Sequence, residues 1–252
     1  MKTFIVAGVV AIAVVASSAR AQTTIAQWNY ESVSDSNIIV SGATPGAGNA
    51  SASVPADVGT GSANGLHATA ATYSVPAGDL DPNIAALSSG AIQADTSPST
   101  HCISANNWSV GDYWQFTTST LGFTGVEVAW DQTGSNTGPG NFSLYYSTGA
   151  GFNLLSGPYT VGDNTGSTLW NTTTAQPASI IVSGGGVLDN AATVSLRLVD
   201  DSTTDVIGGT VATAGADRVD NFTVVGVPEP STIALVGSGL AAGLFGMRRR
   251  RS

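Results

Sequence analysis

Thr193-Val194-Ser195-Leu196-Arg197-Leu198 puts Val194, Leu196 and Leu198 on one side of an extended chain and Thr193, Ser195 and Arg197 on the other. Successive side chains of a strand point to opposite faces, so this run predicts a strand with one face in a core and one in water. The same alternation recurs at Val126-Glu127-Val128-Ala129-Trp130, at Phe142-Ser143-Leu144-Tyr145-Tyr146 and at Asn221-Phe222-Thr223-Val224. Tyr113-Trp114-Gln115-Phe116-Thr117-Thr118 is a further aromatic and β-branched run, and residues 24–30, 103–108 and 179–182 are weaker strand candidates. No ten-residue stretch between Gln22 and Gly226 carries a strong helical period. One-sided strands separated by Gly, Asn, Asp, Ser and Pro belong to antiparallel sheets. The reading is an all-β chain, a two-sheet antiparallel jelly-roll-like sandwich over residues 22–226.

Trp28, Trp108, Trp114, Trp130 and Trp170 are the expected core anchors. Each large side chain, fully buried, contributes about 1.5–3 kcal/mol. Residues 41–65 are rich in Gly, Ala, Ser and Asn, with Pro45 and Pro55, and read as a long surface loop. Trp28 before that loop looks like core material, so the first strand is expected to pair with the last, near Phe222. There is no internal repeat.

Of 252 residues only 10% are charged, and 31 are glycine. Six of the eight basic residues sit at the two ends, at Lys2, Arg20 and Arg248 to Arg251. Residues 22–229 keep Arg197 and Arg218 against 17 acidic residues, a net charge of −15. Nucleic-acid affinity comes from Lys and Arg against phosphate, so this balance excludes a nucleic-acid partner. A single cysteine, Cys102, excludes an intrachain disulfide framework and a cysteine-rich zinc site, and reads as a small buried thiol.

The two ends are addresses. Lys2, an apolar run over residues 4–16 and the small-x-small pair Ala19 and Ala21 form a secretory signal segment, residues 1–21, cut by signal peptidase after Ala21. The run is too short for a permanent span of about 20 residues. At the other end, residues 227–252 fall into three parts: Val227-Pro228-Glu229-Pro230-Ser231, an apolar stretch over residues 233–247, and Arg248, Arg249, Arg250 and Arg251. The prolines fix φ and remove backbone donors, which keeps that stretch extended. The apolar stretch predicts a short transmembrane helix of about 22 Å, marginal against a hydrocarbon core of about 30 Å. The arginines hold the cytoplasmic side and leave the body outside.

This tail resembles the PEP-CTERM sorting signal of Gram-negative bacteria. The resemblance covers about the last 25 residues. It implies a substrate of the membrane transpeptidase exosortase, anchored in the inner membrane, cut near Pro-Glu-Pro, then released or attached to the cell surface or extracellular matrix. It also implies a setting in bacteria that make exopolysaccharide. A second resemblance runs through Gly111-Asp112-Tyr113-Trp114-Gln115-Phe116, Gly125 to Pro139, Phe142-x-Leu144-x-Tyr146-Ser147 and Arg218-Val219-Asp220-Asn221-Phe222. It is similar to a sandwich domain common in secreted proteins of planctomycete-like and related bacteria, and implies fold and setting without any catalytic residue.

Chemistry is harder to find. The histidines are His67 and His101, and no serine lies in a G-x-S-x-G elbow. His101 and Cys102 are neighbours and point to opposite faces of a strand, which argues against a dyad. A glycosidase reading would pair Glu127 with an aspartate such as Asp131, but nothing in the spacing singles this pair out, and that reading ranks last. No motif calls for a cofactor. Calcium is the one ion the acidic loops suit, at Asp200, Asp201 and Asp205 or at Asp217 and Asp220, with Asp79-x-Asp81-x-Asn83 a third cluster that lacks the EF-hand glycine and glutamate. In each cluster the competing reading is an aspartate mimicking backbone in a turn, and Asp220-Asn221 is expected to shape the start of the last strand. Tyr145, Tyr159 and Trp170 are candidates for a sugar-stacking face, because Tyr145 points away from Phe142, Leu144 and Tyr146. The first reading is therefore a non-enzymatic exported protein. The second is a carbohydrate-binding module, calcium-assisted if the acidic loops hold the ion.

Overall fold

The computed structural model describes residues 22–31, 49–51, 53–75, 101–163 and 180–229. Among these, all regular structure is strand: β1 (Thr23–Trp28), β2 (Asn49–Ala50), β3 (Val54–Pro55), β4 (Val58–Gly59), β5 (Gly61–His67), β6 (Tyr73–Ser74), β7 (Ile103–Asn106), β8 (Tyr113–Thr118), β9 (Phe123–Gly134), β10 (Asn141–Ser147), β11 (Asn153–Thr160), β12 (Gly162–Asp163), β13 (Ile180–Ser183), β14 (Val194–Asp200) and β15 (Ala216–Pro228). They form two sheets. The eight-stranded sheet runs β12-β9-β15-β1-β4, with β13 on β9, β7 on β15 and β6 on β7. The seven-stranded sheet runs β11-β10-β14-β8-β5-β2, with β3 on β5. All pairings are antiparallel except the two-residue pair of β12 with β9. This is the expected two-sheet sandwich. The signal segment and the apolar C-terminal stretch, both read as helices, lie outside the described residues, as do Trp170 and the Asp79 cluster.

The alternation read from the sequence sets which side chains meet between the sheets. Trp114 and Phe116 of β8, Leu196 and Leu198 of β14, and Phe142 and Leu144 of β10 come from the seven-stranded sheet; Trp28, Val128, Trp130 and Phe222 come from the other. Phe116 stacks on Phe222 across the sandwich with ring centroids 3.6 Å apart, and Trp28 meets both edge-on. Each buried indole N–H finds an acceptor: Trp28 gives to Val54 O, Trp108 to Ala105 O, Trp114 to Asp217 Oδ1 and Trp130 to Gln132 Oε1. Trp28 pairs with Phe222 in the β1–β15 ladder, the first-with-last pairing expected from sequence.

Two expectations need correction. Residues 49–65 are not surface loop: they hold β2 to β4 and most of β5, and β5 is a full strand of the seven-stranded sheet. Its glycines conceal a packing role, because a Cβ at Gly65 would lie 2.6 Å from both the Trp114 and Tyr73 rings. Asp220-Asn221 does not open the last strand but interrupts it. Asn221 adopts φ 51°, and the β15–β9 register shifts between Asp220 and Thr223. This bulge swaps the strand's parity. Asp217 and Val219 face inward before it, and Phe222 and Val224 after it. The strand then continues to Pro228, which pairs with Phe123 at its very end, where a missing backbone donor is tolerated.

Candidate functional site

Three regions hold the chemistry-bearing side chains. The first is interior. Asp217 projects from β15 between the sheets, fully buried, and its oxygens accept from Trp114 Nε1 at 2.7 Å and Gln132 Nε2 at 3.0 Å. Gln132 Oε1 accepts in turn from Trp130 Nε1 and from the Tyr159 hydroxyl at 2.7 Å. Burial raises the Asp217 pKa well above the usual carboxylate range, against the pull of its two donors. Tyr159, proposed for a sugar face, therefore belongs to this network: its ring packs on Trp130 and Phe142, and burial raises its pKa as well.

The second region is the end of the sandwich around His67. That imidazole is 1% exposed and 4.2 Å from Trp108, ring centroid to ring centroid, with Trp114 and Tyr73 edge-on. Its Nδ1 is 3.3 Å from Asn107 O, which can only accept, so Nδ1 carries the proton. Asp112 Oδ2 lies 3.6 Å away, but Asp112 also caps the backbone, taking N–H groups of Ala68 and Ser109. Burial lowers the His67 pKa, and Asp112 and Asn107 oppose it. The rings wall this pair off from substrate. His101 lies apart at the surface, with Nδ1 3.9 Å from Glu31, and Cys102 is buried.

The carboxylates named for calcium diverge. Asp200 is 1% exposed, with Oδ1 accepting from Ser202 N, whereas its neighbour Asp201 faces out and accepts from the Ser143 hydroxyl. Asp205 Oδ1 accepts from Ile207 N and Gly209 N, closing its own turn. Asp217 sits between the sheets, and Asp220 accepts from Asn221 N at the bulge. Neighbours on a strand face opposite ways, which scatters sequence-adjacent ligands. Among the described residues no three His, Cys, Asp or Glu side chains could hold a metal ion together. Glu127 and Asp131 share β9, and Asp131 is buried and accepts from Asn221 Nδ2 at 3.1 Å.

The third region is the outer face of the seven-stranded sheet. The sheets differ outside. On the eight-stranded sheet the outward positions Ala129, Asp131, Thr223 and Val225 are buried. On the seven-stranded sheet the outward positions Tyr113, Gln115, Tyr145, Ser195 and Arg197 are half-exposed, and Leu154 is 54% exposed. Register aligns them: Asn64 pairs with Gln115, Gln115 with Arg197, Arg197 with Tyr145, and Tyr145 with Leu154. The Arg197 guanidinium lies 3.9 Å from the Tyr113 ring centroid and 3.6 Å from that of Phe152, and its Nε donates to Gln115 Oε1 at 2.8 Å. Tyr145 is where the sequence put it. The Arg197 clamp was missed, because Phe152 reaches it from the turn before β11, through a contact no local spacing encodes.

The sorting tail grows directly from the fold. Val227 and Pro228 are the last residues of β15, and Glu229 N donates to Gly122 O at 2.7 Å. A family model described as the PEP-CTERM protein-sorting motif matches residues 226–251. This chain carries a PEP-CTERM protein-sorting motif. The motif implies export, a stage held at the membrane by the tail, and processing by an exosortase. Its first residues are thus tied into the sandwich, while Pro230 onward, with Ser231 and the four arginines, lies outside the described residues. A comparison with curated proteins finds no match for this PEP-CTERM chain. Among solved structures it is similar to the K1 cleaved adhesin domain of Lys-gingipain from Porphyromonas gingivalis W83, at 13% identity over 60% of this chain and 82% of that one, TM-score 0.33. It is also similar to CtCBM11, at 12% identity over 84% and 99%, TM-score 0.37, and to TmCBM61 in complex with β-1,4-galactotriose, at 8% over 50% and 70%, TM-score 0.28. At this level the likeness says nothing about what this chain binds.

Proposed function

We propose that this is a non-enzymatic exported protein that an exosortase sorts to the cell surface or extracellular matrix, where its folded body associates with exopolysaccharide. The sorting motif at residues 226–251 carries the reading. The ordered pattern at Lys2 to Ala21 supports cleavage by signal peptidase and a start outside the cytoplasm. The sequestered His67–Asp112 pair and the interior carboxylates favour a structural body over a hydrolase. In the host, the chain should be recovered outside the inner membrane, beginning at Gln22 and lacking Arg248 to Arg251. It should co-sediment with exopolysaccharide. Recovery of the uncut chain in the cytoplasm overturns the reading, and so does hydrolysis of a glycan or ester panel abolished by Glu127→Gln or His101→Ala.

The second reading, a carbohydrate-binding module, is favoured by one observation: the open sheet face aligns Tyr145 with Arg197 and Gln115.

A further inference from the structure

We propose that the open face of the seven-stranded sheet binds a polysaccharide with sparse carboxylates, Arg197 gripping one uronate while Tyr113, Phe152 and Tyr145 carry neighbouring sugar rings. This rests on the exopolysaccharide reading and adds to it a site and a ligand class.

Arg197 is held in place but left incomplete. The ring centroids of Tyr113 and Phe152 lie 3.9 Å and 3.6 Å from its guanidinium carbon, and Gln115 takes its Nε–H, so the side chain is restrained before any ligand arrives. No carboxylate lies within salt-bridge distance of it among the described residues. Residues 22–229 hold 17 acidic residues and two arginines, so a guanidinium with no acidic partner among the described residues is an available anion site. The Nη edge is the part of the fork that matches a carboxylate with two parallel hydrogen bonds. Because the rings already restrain the side chain, little rotamer freedom is lost on binding.

The surroundings fit a polymer better than a lone acid. Asn64, Gln115, Arg197, Tyr145 and Leu154 lie on five adjacent strands, and at about 4.8 Å per strand the row spans roughly 19 Å. That is a track with amide groups at one end, the cation in the middle and apolar faces at the other. Tyrosine and phenylalanine rings offer flat apolar surface to the C–H faces of sugars, while the amides meet hydroxyls. The body's net negative charge repels a densely charged polyanion. A single cation therefore selects a chain bearing one carboxylate among several neutral sugars.

Glucuronoxylan and the same polymer after reduction of its carboxylates supply the test, with the protein purified as its host produces it. Affinity electrophoresis at low salt should show glucuronoxylan binding at least about tenfold tighter than the reduced polymer, the loss expected for one charge-assisted contact. Arg197→Gln should erase that difference and leave the weak binding of the reduced polymer. Arg197→Lys should recover only part of it, because an ammonium lacks the fork. Tyr145→Ala should weaken both polymers alike. Should Arg197→Gln lower the melting temperature, carboxyl reduction still tests the same contact on unaltered protein. Equal binding of both polymers, insensitive to Arg197→Gln, overturns the proposal and leaves the exopolysaccharide reading standing. Retention on the host polymer with neither test polymer bound also overturns the ligand class. No retention on any of the three overturns both.

Discussion

Tyr113 and Trp114 are neighbours on β8, and each helps surround an ionisable group, one outside the sandwich and one inside. Outside, Tyr113 and Phe152 hold the half-exposed Arg197. Inside, Trp114 and Gln132 satisfy both oxygens of Asp217, which no water reaches. The ingredients are similar, and the outcomes differ because of desolvation. A buried carboxylate must have every lone pair met or be protonated, so its donors become part of the fold's stability. A half-exposed guanidinium keeps hydration at its open edge, contributes little to stability and retains its capacity to bind.

The sharpest way to break this contrast is Asp217→Ala. It leaves two buried donors without an acceptor, and should lower unfolding stability by about 3 kcal/mol or more. A urea midpoint shifted at constant m-value reads it, and a loss under about 1 kcal/mol means the buried Asp217 network contributes little to stability. Next comes pH. Burial pushes the Asp200 pKa up to about 7 from 3.8, so the folded chain keeps a proton that the unfolded chain releases near pH 4. This group's contribution is full below about pH 4 and is lost as pH rises to about 7. Asp217, also raised, acts in the same direction. Asp200→Asn should therefore flatten the fall in melting temperature across that window, and an unchanged slope refutes the assignment.

Smaller effects sharpen the same comparison. Tyr159→Phe removes one hydroxyl from Gln132 Oε1, which still accepts from Trp130, and should cost about 1 kcal/mol in chemical denaturation. Arg197→Gln on the open face should change stability by less than about 1 kcal/mol, the scale of an exposed cation–π contact. A larger loss would make the clamp a structural element and dissolve the inside–outside distinction.

Much of the fold was legible because its cause is local. β8 spans Tyr113–Thr118, the run singled out from composition, and β14 and β10 follow the alternation of Val194 to Leu198 and Phe142 to Tyr146. β5 was missed because Gly61, Ala63 and Gly65 are too small to signal a buried face, although the two glycines are small where Trp28 and Trp114 press on them. The Asp220-Asn221 bulge looked like a strand start because Asp and Asn signal turns in either context. Of the site, Tyr145 was readable from parity. Tyr159 was not, since the register shifts between β10 and β11 decide which residue of β11 faces the core, and Phe152 was not, since it reaches Arg197 from the turn before β11.

By itself, the sequence determined that the body is built from strands, that it is acidic, and that its tail is a sorting address; each follows from residue type and short-range order, whereas the burial of both faces of β9 and β15 does not. Which aromatic meets which charge was decided only in three dimensions. Arg197 meets Phe152 and Asp217 meets Trp114 across long chain separations, brought together by sheet register and by the stacking of one sheet on another. A period of two says which way a side chain points but not what it finds there.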